Sequence, residues 1–256
     1  MTNNAWRGRG VLILGAASAI AEAVARDLAA QGAQLMLVAR DGARLEAIAA
    51  DLRVRGSPNV AVRALDLVES EPTDELLQSL ADAIGGFDTA LIAHGLLGDQ
   101  TRAEQDAAHA AALIDVNFTS AGLWALALAR RLERTDGRNG VVAAIGSVAG
   151  DRGRSSNFVY GAAKAGLAVL MQGLAHRSAL HGGAKAVVFK LGFVDTPMTA
   201  ALAKGGPLWA TPQAVAKVIV KGLNGRSAIV YGPWFWRYVM LIIRLLPQPV
   251  IARIDI

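Results

Sequence analysis

The sequence predicts an α/β fold in which the strands of a parallel sheet alternate with helices. Two features of the chain support this prediction. Short apolar runs rich in Val, Ile, Leu and Ala, which are typical of buried parallel strands, alternate with longer segments of helical pattern. No tight hairpin turn separates successive strand-like runs, so we expect each strand to reach the next through a helical crossover, as in βαβ units.

Length and composition limit the kind of molecule. A chain of 256 residues suffices for one α/β domain with its own core, so we predict a single domain over 1–256 whose end, 233–256, is a hydrophobic extension. Apolar residues form 53% and charged residues 18% of the chain, as in a compact soluble protein. Cysteine is absent and the four histidines are scattered, which predicts no disulfide and no metal site.

The N-terminus and the charge bear on location and partners. The first ten residues lack an apolar core of a signal peptide, which predicts a cytoplasmic protein. A net charge of +5 favours an anionic partner, although arginines scattered on helices explain it equally well. Because no basic cluster is interleaved with aromatic residues, we expect no nucleic-acid partner.

The elements follow in order from these patterns. Strands are predicted at 11–14, 34–39, 60–65, 89–93, 141–147, 184–191 and 228–231. A helix ending at Gln31 is closed by Gly32, and the next begins at Asp41, a good N-cap, and runs through Arg55. Further helices are predicted at 71–84, at 105–134 as one helix or two, from Asn157 onward, and at 211–223.

The turn after the first strand predicts an anion site. The small residues from Gly15 to Ala21 connect a buried strand to a helix N-terminus, where backbone N–H groups and the helix dipole favour a phosphate. An Ala-rich helix start is the alternative interpretation. The second strand ends at Arg40, where an acidic residue would bind the ribose of NAD and an arginine suits the 2′-phosphate of NADP. A surface cation is the alternative at Arg40.

Two further strand ends carry polar residues. Asp66 follows the third strand, where it either contacts the adenine amino group or caps the next turn. His94 and Gly95 follow the fourth strand, and we expect the Gly95 backbone to pass the ribose and His94 not to act as an acid. Asn117 lies mid-helix, where Asn is a mediocre helix former, so a side-chain or water hydrogen bond explains it better than propensity.

The stretch 141–168 carries the chemistry. Ser147 ends a strand, and Tyr160 and Lys164 lie four apart on one face of the following helix. An ammonium group one turn from a phenol lowers its pKa, and a nearby hydroxyl holds a carbonyl oxygen, which together move a proton to or from an alcohol oxygen. A solvent-exposed Tyr and Lys would be the alternative if no cofactor site existed.

The C-terminal tail is aromatic and aliphatic. Between Pro233 and Pro247 lie 13 residues broken only by Arg237 and Arg244, too few for a transmembrane helix, which needs about 20. Such a helix either packs in an oligomer or lies at a membrane surface, and we expect peripheral contact through 234–250 on the inner face in the second case. Arg237 or Arg244 would then lie near a phosphate.

The order and spacing of several motifs identify a family. These are Gly15-x-x-x-Ala19-Ile20-Ala21, Asp66, Ala93-His94-Gly95, Asn117, Ser147, Tyr160-x-x-x-Lys164 and Gly192-x-Val194-x-Thr196-x-Met198. On these residues the chain resembles the short-chain dehydrogenase/reductase family over nearly its whole length. The resemblance implies a Rossmann-type, doubly wound fold with a seven-stranded parallel sheet, an NAD(P)(H) cofactor and hydride transfer to or from a carbonyl carbon. The C-terminal hydrophobic helix is predicted from the tail itself.

The resemblance also assigns roles. It implies that Tyr160 is the acid/base, that Lys164 lowers its pKa and binds the nicotinamide ribose, that Ser147 polarises the substrate oxygen and that Asn117 holds a water. NADP(H) is favoured over NAD(H), and 196–208 covers the substrate. The implied cofactor contacts are Gly15, Ala17, Ser18, Ala19, Ile20, Arg40, Asp66, Leu67, Ala93, Gly95, Tyr160, Lys164, Val194 and Thr196.

The chain departs from the family pattern at several positions. The substituted residues are Leu14 for Thr, Ala19 and Ala21 for Gly, Ala93-His94 for Asn-Ala, and Leu191 for Pro. The extra methyl groups bear on the affinity and pose of the cofactor. The proton-transfer residues are intact, so we expect a working enzyme.

Three stretches, 94–99, 154–160 and 237–240, carry a finer likeness. On them the chain is, within the family, most similar to the decaprenylphospho-β-D-erythro-pentofuranosid-2-ulose 2-reductases. That likeness implies a lipid-linked sugar substrate and a flavin-dependent oxidase partner that forms the ketone. The alternatives are a soluble reductase of another lipophilic ketone or a 3-ketoacyl substrate, and, in a different class, a non-catalytic NADP(H) sensor or scaffold. A homodimer or homotetramer is expected.

Overall fold

A computed structural model describes residues 5–135, 139–202, 205–251 and 253. The strands are β1 (Gly10–Leu14), β2 (Gln34–Ala39), β3 (Val60–Ala64), β4 (Thr89–Ile92), β5 (Val141–Ser147), β6 (Lys185–Leu191), β7 (Phe193–Val194), β8 (Trp209–Ala210) and β9 (Ile229–Gly232). Seven of them form one parallel sheet in the order β3-β2-β1-β4-β5-β6-β9, and β7 pairs with β8 alone. The predicted seven-stranded parallel sheet is confirmed. Strand order reverses between β1 and β4, where such sheets open a crevice for ligands.

The helices cover both faces of this sheet. They are α1 (Ala19–Ala30), α2 (Gly42–Val54), α3 (Asp74–Asp82), α4 (Gln100–Gln105), α5 (Ala107–Ile114), α6 (Ala121–Thr135), α7 (Phe158–His181), α8 (Pro212–Asn224), α9 (Trp236–Leu245) and α10 (Gln248–Ile251). Polar side chains fix several starts. Asp41 accepts a hydrogen bond from the Arg44 N–H at 2.9 Å and thereby caps α2, as predicted.

The core consists of two layers separated by the sheet. Successive side chains of a strand point to opposite faces, so Val11 and Ile13 of β1 join one cluster while Leu12 and Leu14 join the other. Helices α1, α2 and α8 cover the first face, and α3, α6 and α7 cover the second. Since both faces are buried, every residue of β1 is apolar or Gly, and the doubly wound fold is confirmed.

The region predicted as one helix or two, 105–134, is more broken than expected. Asp106 interrupts it by capping α5 through the N–H groups of Ala108 and His109. A π-helical turn, Asp115–Ser120, then separates α5 from α6. An isolated π turn inserts one extra residue per turn and often lies at a functional site. This one carries Asn117.

Two helical stretches, Ala107–Thr135 and Phe158–His181, have the length and hydropathy of membrane spans. Their most apolar windows are 50% and 39% buried in the structure. Each stretch also contributes to the cluster on the second face of the sheet, through Trp124 and Leu167 among others. Core helices pass the same test of length and composition, so the apolar character of both stretches is explained by packing on the sheet.

Helix α9, in the hydrophobic tail, packs against loops at the carboxyl ends of the strands. Trp236 and Met240 are buried with Val148, which follows Ser147, and Phe193 packs on the same cluster. The Trp236 ring lies directly over Gly192, where a Cβ would come within 1.9 Å of its indole nitrogen. Any side chain at this position would displace the ring. The predicted helix between Pro233 and Pro247 thus forms and is partly covered by the protein itself.

Candidate active site

One cavity of about 450 Å³ opens at the carboxyl edge of the sheet, beside the reversal of strand order. Its walls come from the turns after β1, β4, β5 and β6 and from α7. Most of the site residues predicted from the sequence line it together. These are Ala17, Ser18, Ala19, Ile20, Ala93, Gly95, Asn117, Ser147, Tyr160, Lys164, Val194 and Thr196.

The turn after β1 forms one wall. Gly15 has φ +81°, and a Cβ there would lie 2.5 Å from the backbone nitrogen of His94, so only glycine lets the two turns approach. Ser18 caps α1 by accepting a hydrogen bond from the Ala21 N–H at 3.2 Å. The small side chains of this turn leave the start of α1 open to the cavity. This arrangement fits the phosphates of a dinucleotide.

Asn117 is fully buried within the π turn, and its side chain links the backbone of two segments beside the cavity. Its Nδ2 donates to the carbonyls of Leu96 and Leu113 at 2.7 and 2.9 Å, and its Oδ1 accepts from the Leu96 N–H at 3.1 Å. The expectation that a side-chain hydrogen bond explains this Asn is thereby met. Both amide hydrogens are committed, so only Oδ1 has capacity left for a water.

Ser147 and Tyr160 meet on the opposite wall. Ser147 is the last residue of β5, and its hydroxyl oxygen accepts a hydrogen bond from the Ala149 N–H at 3.1 Å. The same hydroxyl lies near the phenol of Tyr160 and favours its ionised form. A carbonyl oxygen placed between the two hydroxyls would receive two hydrogen bonds, one of them from an acid able to protonate it.

Lys164 lies beneath this pair and is almost completely buried. Its Nζ donates to the Ile145 carbonyl at 3.1 Å and lies 5.8 Å from the centre of the Tyr160 ring. Burial lowers the pKa of Lys164 to about 8. Two of its three donors are left for another partner, such as a ribose hydroxyl.

The expected lowering of the Tyr160 pKa is not found. Burial raises the pKa of the phenol, and the Ser147 hydroxyl opposes this effect only in part. The physical reason is that desolvation disfavours the charged phenolate. Desolvation also disfavours the charged ammonium form of Lys164, the group that was expected to stabilise the phenolate. Tyr160 is therefore protonated at neutral pH, the state in which it donates a proton.

Four predicted cofactor contacts, Gly15, Arg40, Asp66 and Leu67, lie outside the cavity lining. Arg40 is 82% exposed and its Nη1 lies 3.9 Å from the carboxylate of Asp66. Asp66 also accepts a hydrogen bond from the Val68 N–H at 2.9 Å, so it caps the turn, which was the alternative interpretation. The carbonyl of Leu67 accepts hydrogen bonds from Ser120 and Trp124.

His94 and Arg44 also line the cavity. The Nε2 of His94 lies 3.1 Å from the Ser120 hydroxyl, and burial lowers the pKa of His94 to about 4, so the ring is neutral and is not a proton donor at neutral pH. Arg44, in the first turn of α2, was missed. A cation there opposes the helix dipole, and that was the available signal in the sequence.

A buried ionic cluster supports the turn that follows Ser147. The carboxylate of Asp151 binds the ammonium group of Lys190 on β6 and accepts a hydrogen bond from the Tyr231 hydroxyl on β9 at 2.8 Å. Burial and the adjacent carboxylate raise the pKa of Tyr231 to about 12. These contacts fasten the end of the 3₁₀ turn Val148–Asp151 to two neighbouring strands.

The segment expected to cover the substrate, 196–208, lies between two short strands that pair with each other. Strands β7 and β8 pair in parallel, with Phe193 opposite Trp209, and their rings stack with centroids 5.3 Å apart. Between them, Pro197–Thr199 forms a 3₁₀ turn. Met198 and Leu202 line the cavity from this segment.

Comparison with known proteins agrees with this geometry. The family model for short chain dehydrogenases matches residues 9–206. An uncharacterized oxidoreductase of Mycobacterium tuberculosis is 40% identical over 244 residues, covering 95% of this chain and 96% of that protein. One from Streptomyces coelicolor is 35% identical over 249 residues, covering 96% of both. A putative short chain dehydrogenase from Pseudomonas syringae superposes with a TM-score of 0.77 at 27% identity, covering 88% of this chain and 95% of the other.

The chain therefore belongs to the short-chain dehydrogenase/reductase family. It has the Rossmann-type NAD(P)-binding fold of that family. It is an NAD(P)-dependent oxidoreductase.

Proposed function

We propose that this protein reduces a ketone with NADPH, with Tyr160 as the acid. The observation that carries the proposal is that Ser147, Tyr160 and Lys164 line the same cavity as the small residues at the start of α1. Bound NADPH would supply the hydride. Ser147 orients the carbonyl oxygen, and Tyr160 donates its proton to that oxygen. The raised pKa of Tyr160 keeps this proton in place at neutral pH.

Lys164 and Asn117 support this pair. Lys164 is anchored on the Ile145 carbonyl, so its remaining N–H groups are directed by a fixed contact, and we assign them to the nicotinamide ribose. Asn117 fixes the Leu96 backbone next to Gly95. A Cβ on Gly95 would lie 2.9 Å from the Asn117 oxygen and 3.3 Å from the Lys164 nitrogen, so glycine is needed there for this packing.

The preference for NADPH rests on two arginines. Arg40 is largely exposed and its one carboxylate contact is long, while Arg44 lies at the cavity with a 3.5 Å contact to Glu22. No acidic residue ends β2, where NAD-specific sites hold the ribose hydroxyls. Both guanidinium groups are available to a 2′-phosphate.

A cofactor titration with a turnover assay tests the function. We expect NADPH to bind more tightly than NADH and to be oxidised only when a ketone is added. Removing one charge-assisted phosphate contact in Arg44→Ala or Arg40→Ala should weaken NADPH binding about 10- to 100-fold, with little change for NADH. Arg55→Ala, which removes an arginine bound to Asp51 instead, is the matched control.

Two results would contradict this proposal. Tighter binding of NADH than NADPH would refute the assignment of the arginines. NADPH binding without turnover of any ketone would favour the second candidate function, a non-catalytic NADP(H) sensor or scaffold, for which the substituted turn after β1 is the supporting observation.

The substrate we propose is lipophilic. Leu97, Leu191, Phe193, Met198 and Leu202 give the cavity apolar walls. A 2-keto pentose on a polyprenyl phosphate, formed by a flavin-dependent oxidase, is the specific substrate that the sequence resemblance suggests. Another lipophilic ketone or a 3-ketoacyl compound would use the same catalytic residues.

Helix α9 supports a lipid-linked substrate. It packs on Val148 and Phe193, two residues of the cavity wall, and presents an apolar strip to the outside. Leu241, Ile242 and Leu245 of this strip are 53%, 63% and 74% exposed. Such a surface, flanked by Arg237 and Arg244, suits the headgroup layer of an anionic membrane.

Sedimentation with anionic liposomes tests the membrane contact. We expect the protein to sediment with the vesicles, and the triple variant L241Q/I242Q/L245Q to remain in solution while its rate on a water-soluble ketone is unchanged. Val54, Val169 and Leu180 are comparably exposed at 89%, 68% and 64%, so V54Q/V169Q/L180Q is the control. Equal sedimentation of all three proteins, or of none, would refute the contact.

A further inference from the structure

We infer that Arg154 forms an anion subsite that binds an oxyanion carried by the ketone substrate, such as a phosphate ester or a carboxylate. The inference deepens the proposed reduction and rests on it, since it names the class of ketone. Arg154 lies in the loop between Ser147 and Tyr160 and lines the same cavity. No binding or catalytic role was predicted for it from the sequence.

The Arg154 side chain is partly buried and no matching anion is bound to it. Its Nε is enclosed and has no hydrogen-bond partner, and burial lowers the pKa of Arg154. The carboxylate that acts on it electrostatically is Asp151. That carboxylate is already bound by the Lys190 ammonium group and the Tyr231 hydroxyl. The positive charge of Lys190 neutralises the Asp151 carboxylate, so Asp151 does not also neutralise the charge of Arg154.

No carboxylate in the described cavity lining neutralises Arg154. Among the lining residues in the described part of the chain, Arg44, Lys164 and Arg154 are cationic and none is Asp or Glu. Arg44 contacts Glu22 on the cofactor side, and Lys164 is bound to a carbonyl beneath Tyr160. Even partial desolvation of a cation is unfavourable unless an anion pairs with it. We therefore assign that anion to the substrate.

A second unsatisfied group lies close by in the sequence. Asn157 precedes α7 by one residue and Tyr160 by three, lines the cavity, and does not cap the helix with its side chain. Its Oδ1 is buried and has no partner. A carbonyl-type oxygen accepts hydrogen bonds, so it fits a hydroxyl group. A cation and an acceptor on one wall together suit an anionic hydroxyketone.

Binding of inorganic phosphate to the NADP⁺-saturated protein tests the subsite. Saturation with NADP⁺ fills the 2′-phosphate site, so any further effect of phosphate arises elsewhere. We expect phosphate to raise the melting temperature in a saturable manner, and Arg154→Met to abolish this shift. Arg152→Met is the matched control, because Arg152 is bound to the Arg244 carbonyl and to Gln248 outside the cavity. No saturable shift in the wild type, or an equal shift in all three proteins, overturns the inference.

Kinetics separates this inference from the proposed function. Dihydroxyacetone phosphate and dihydroxyacetone differ only in the phosphate group. We expect the wild type to prefer the phosphate ester in kcat/KM by at least tenfold, Arg154→Lys to retain part of that preference, and Arg154→Met to lose it while still reducing dihydroxyacetone. An unchanged preference in Arg154→Met refutes the subsite alone. A wild type that binds NADPH yet reduces no ketone refutes the reduction, and the phosphate titration then decides on the subsite by itself.

Discussion

Tyr160→Phe is expected to lower kcat for ketone reduction by about 10²- to 10⁴-fold, the range that a general acid contributes. The ring and its packing are kept, and only the proton donor to the carbonyl oxygen is lost. NADPH affinity should change little, because Lys164 keeps its anchor on the Ile145 carbonyl. Absorbance of NADPH measures the rate, and quenching of tryptophan fluorescence measures binding.

Two matched variants make the result specific. Tyr238 is 58% exposed on α9, so Tyr238→Phe removes a phenolic hydroxyl without touching the cavity and should leave kcat unchanged. Ser147→Ala should reduce kcat while retaining the acid, because the carbonyl oxygen loses one donor. Full activity in Tyr160→Phe would show that the proton comes from elsewhere, and the assignment of the acid would be wrong.

Asp151→Ala is expected to lower the free energy of unfolding by about 3–5 kcal/mol, the loss measured when one partner of a buried ion pair is removed. The variant leaves the Lys190 ammonium group buried between strands and the Tyr231 hydroxyl without its acceptor. Urea denaturation measures the effect as a lower midpoint at an unchanged m-value.

A double variant separates charge from packing. Asp151→Leu with Lys190→Met removes both charges and keeps apolar volume, so it should recover most of the stability that Asp151→Ala loses. Tyr231→Phe should lose about 1.5–3 kcal/mol, as for a hydrogen bond to a charged group. Should the double variant be no more stable than Asp151→Ala, the loss would lie in the packing of the turn and not in the unpaired Lys190.

The sheet was predictable because a strand buried on both faces leaves a continuous apolar run in the sequence. All seven main strands were predicted within a few residues of their observed ends. The region 105–134 was harder, since its apolar content is that of a helix throughout. The interruptions depend on the capping contacts of Asp106 and on the side-chain contacts of Asn117 with Leu96, and the latter partner lies far away in the sequence.

The site likewise contains residues that the sequence predicted and residues that it did not. Ser147, Tyr160 and Lys164 were found because their spacing is set by a strand end and one helical turn. Arg154, in a loop, and Arg44, in the first turn of α2, were not found, because their importance depends on which neighbouring groups are already paired. The raised pKa of Tyr160 likewise depends on how deeply the phenol is buried, which the spacing of motifs does not reveal.

The pairing of β7 with β8 has a consequence for the entropy of substrate binding. The segment between Val194 and Trp209 begins and ends at this two-stranded ribbon, which the stacked rings of Phe193 and Trp209 reinforce. The loss of chain entropy on bringing the two ends of the loop together therefore occurs during folding and not on substrate binding. We therefore expect ordering of the segment over a ketone to require only local adjustment, which would leave more of the favourable contact energy as net affinity.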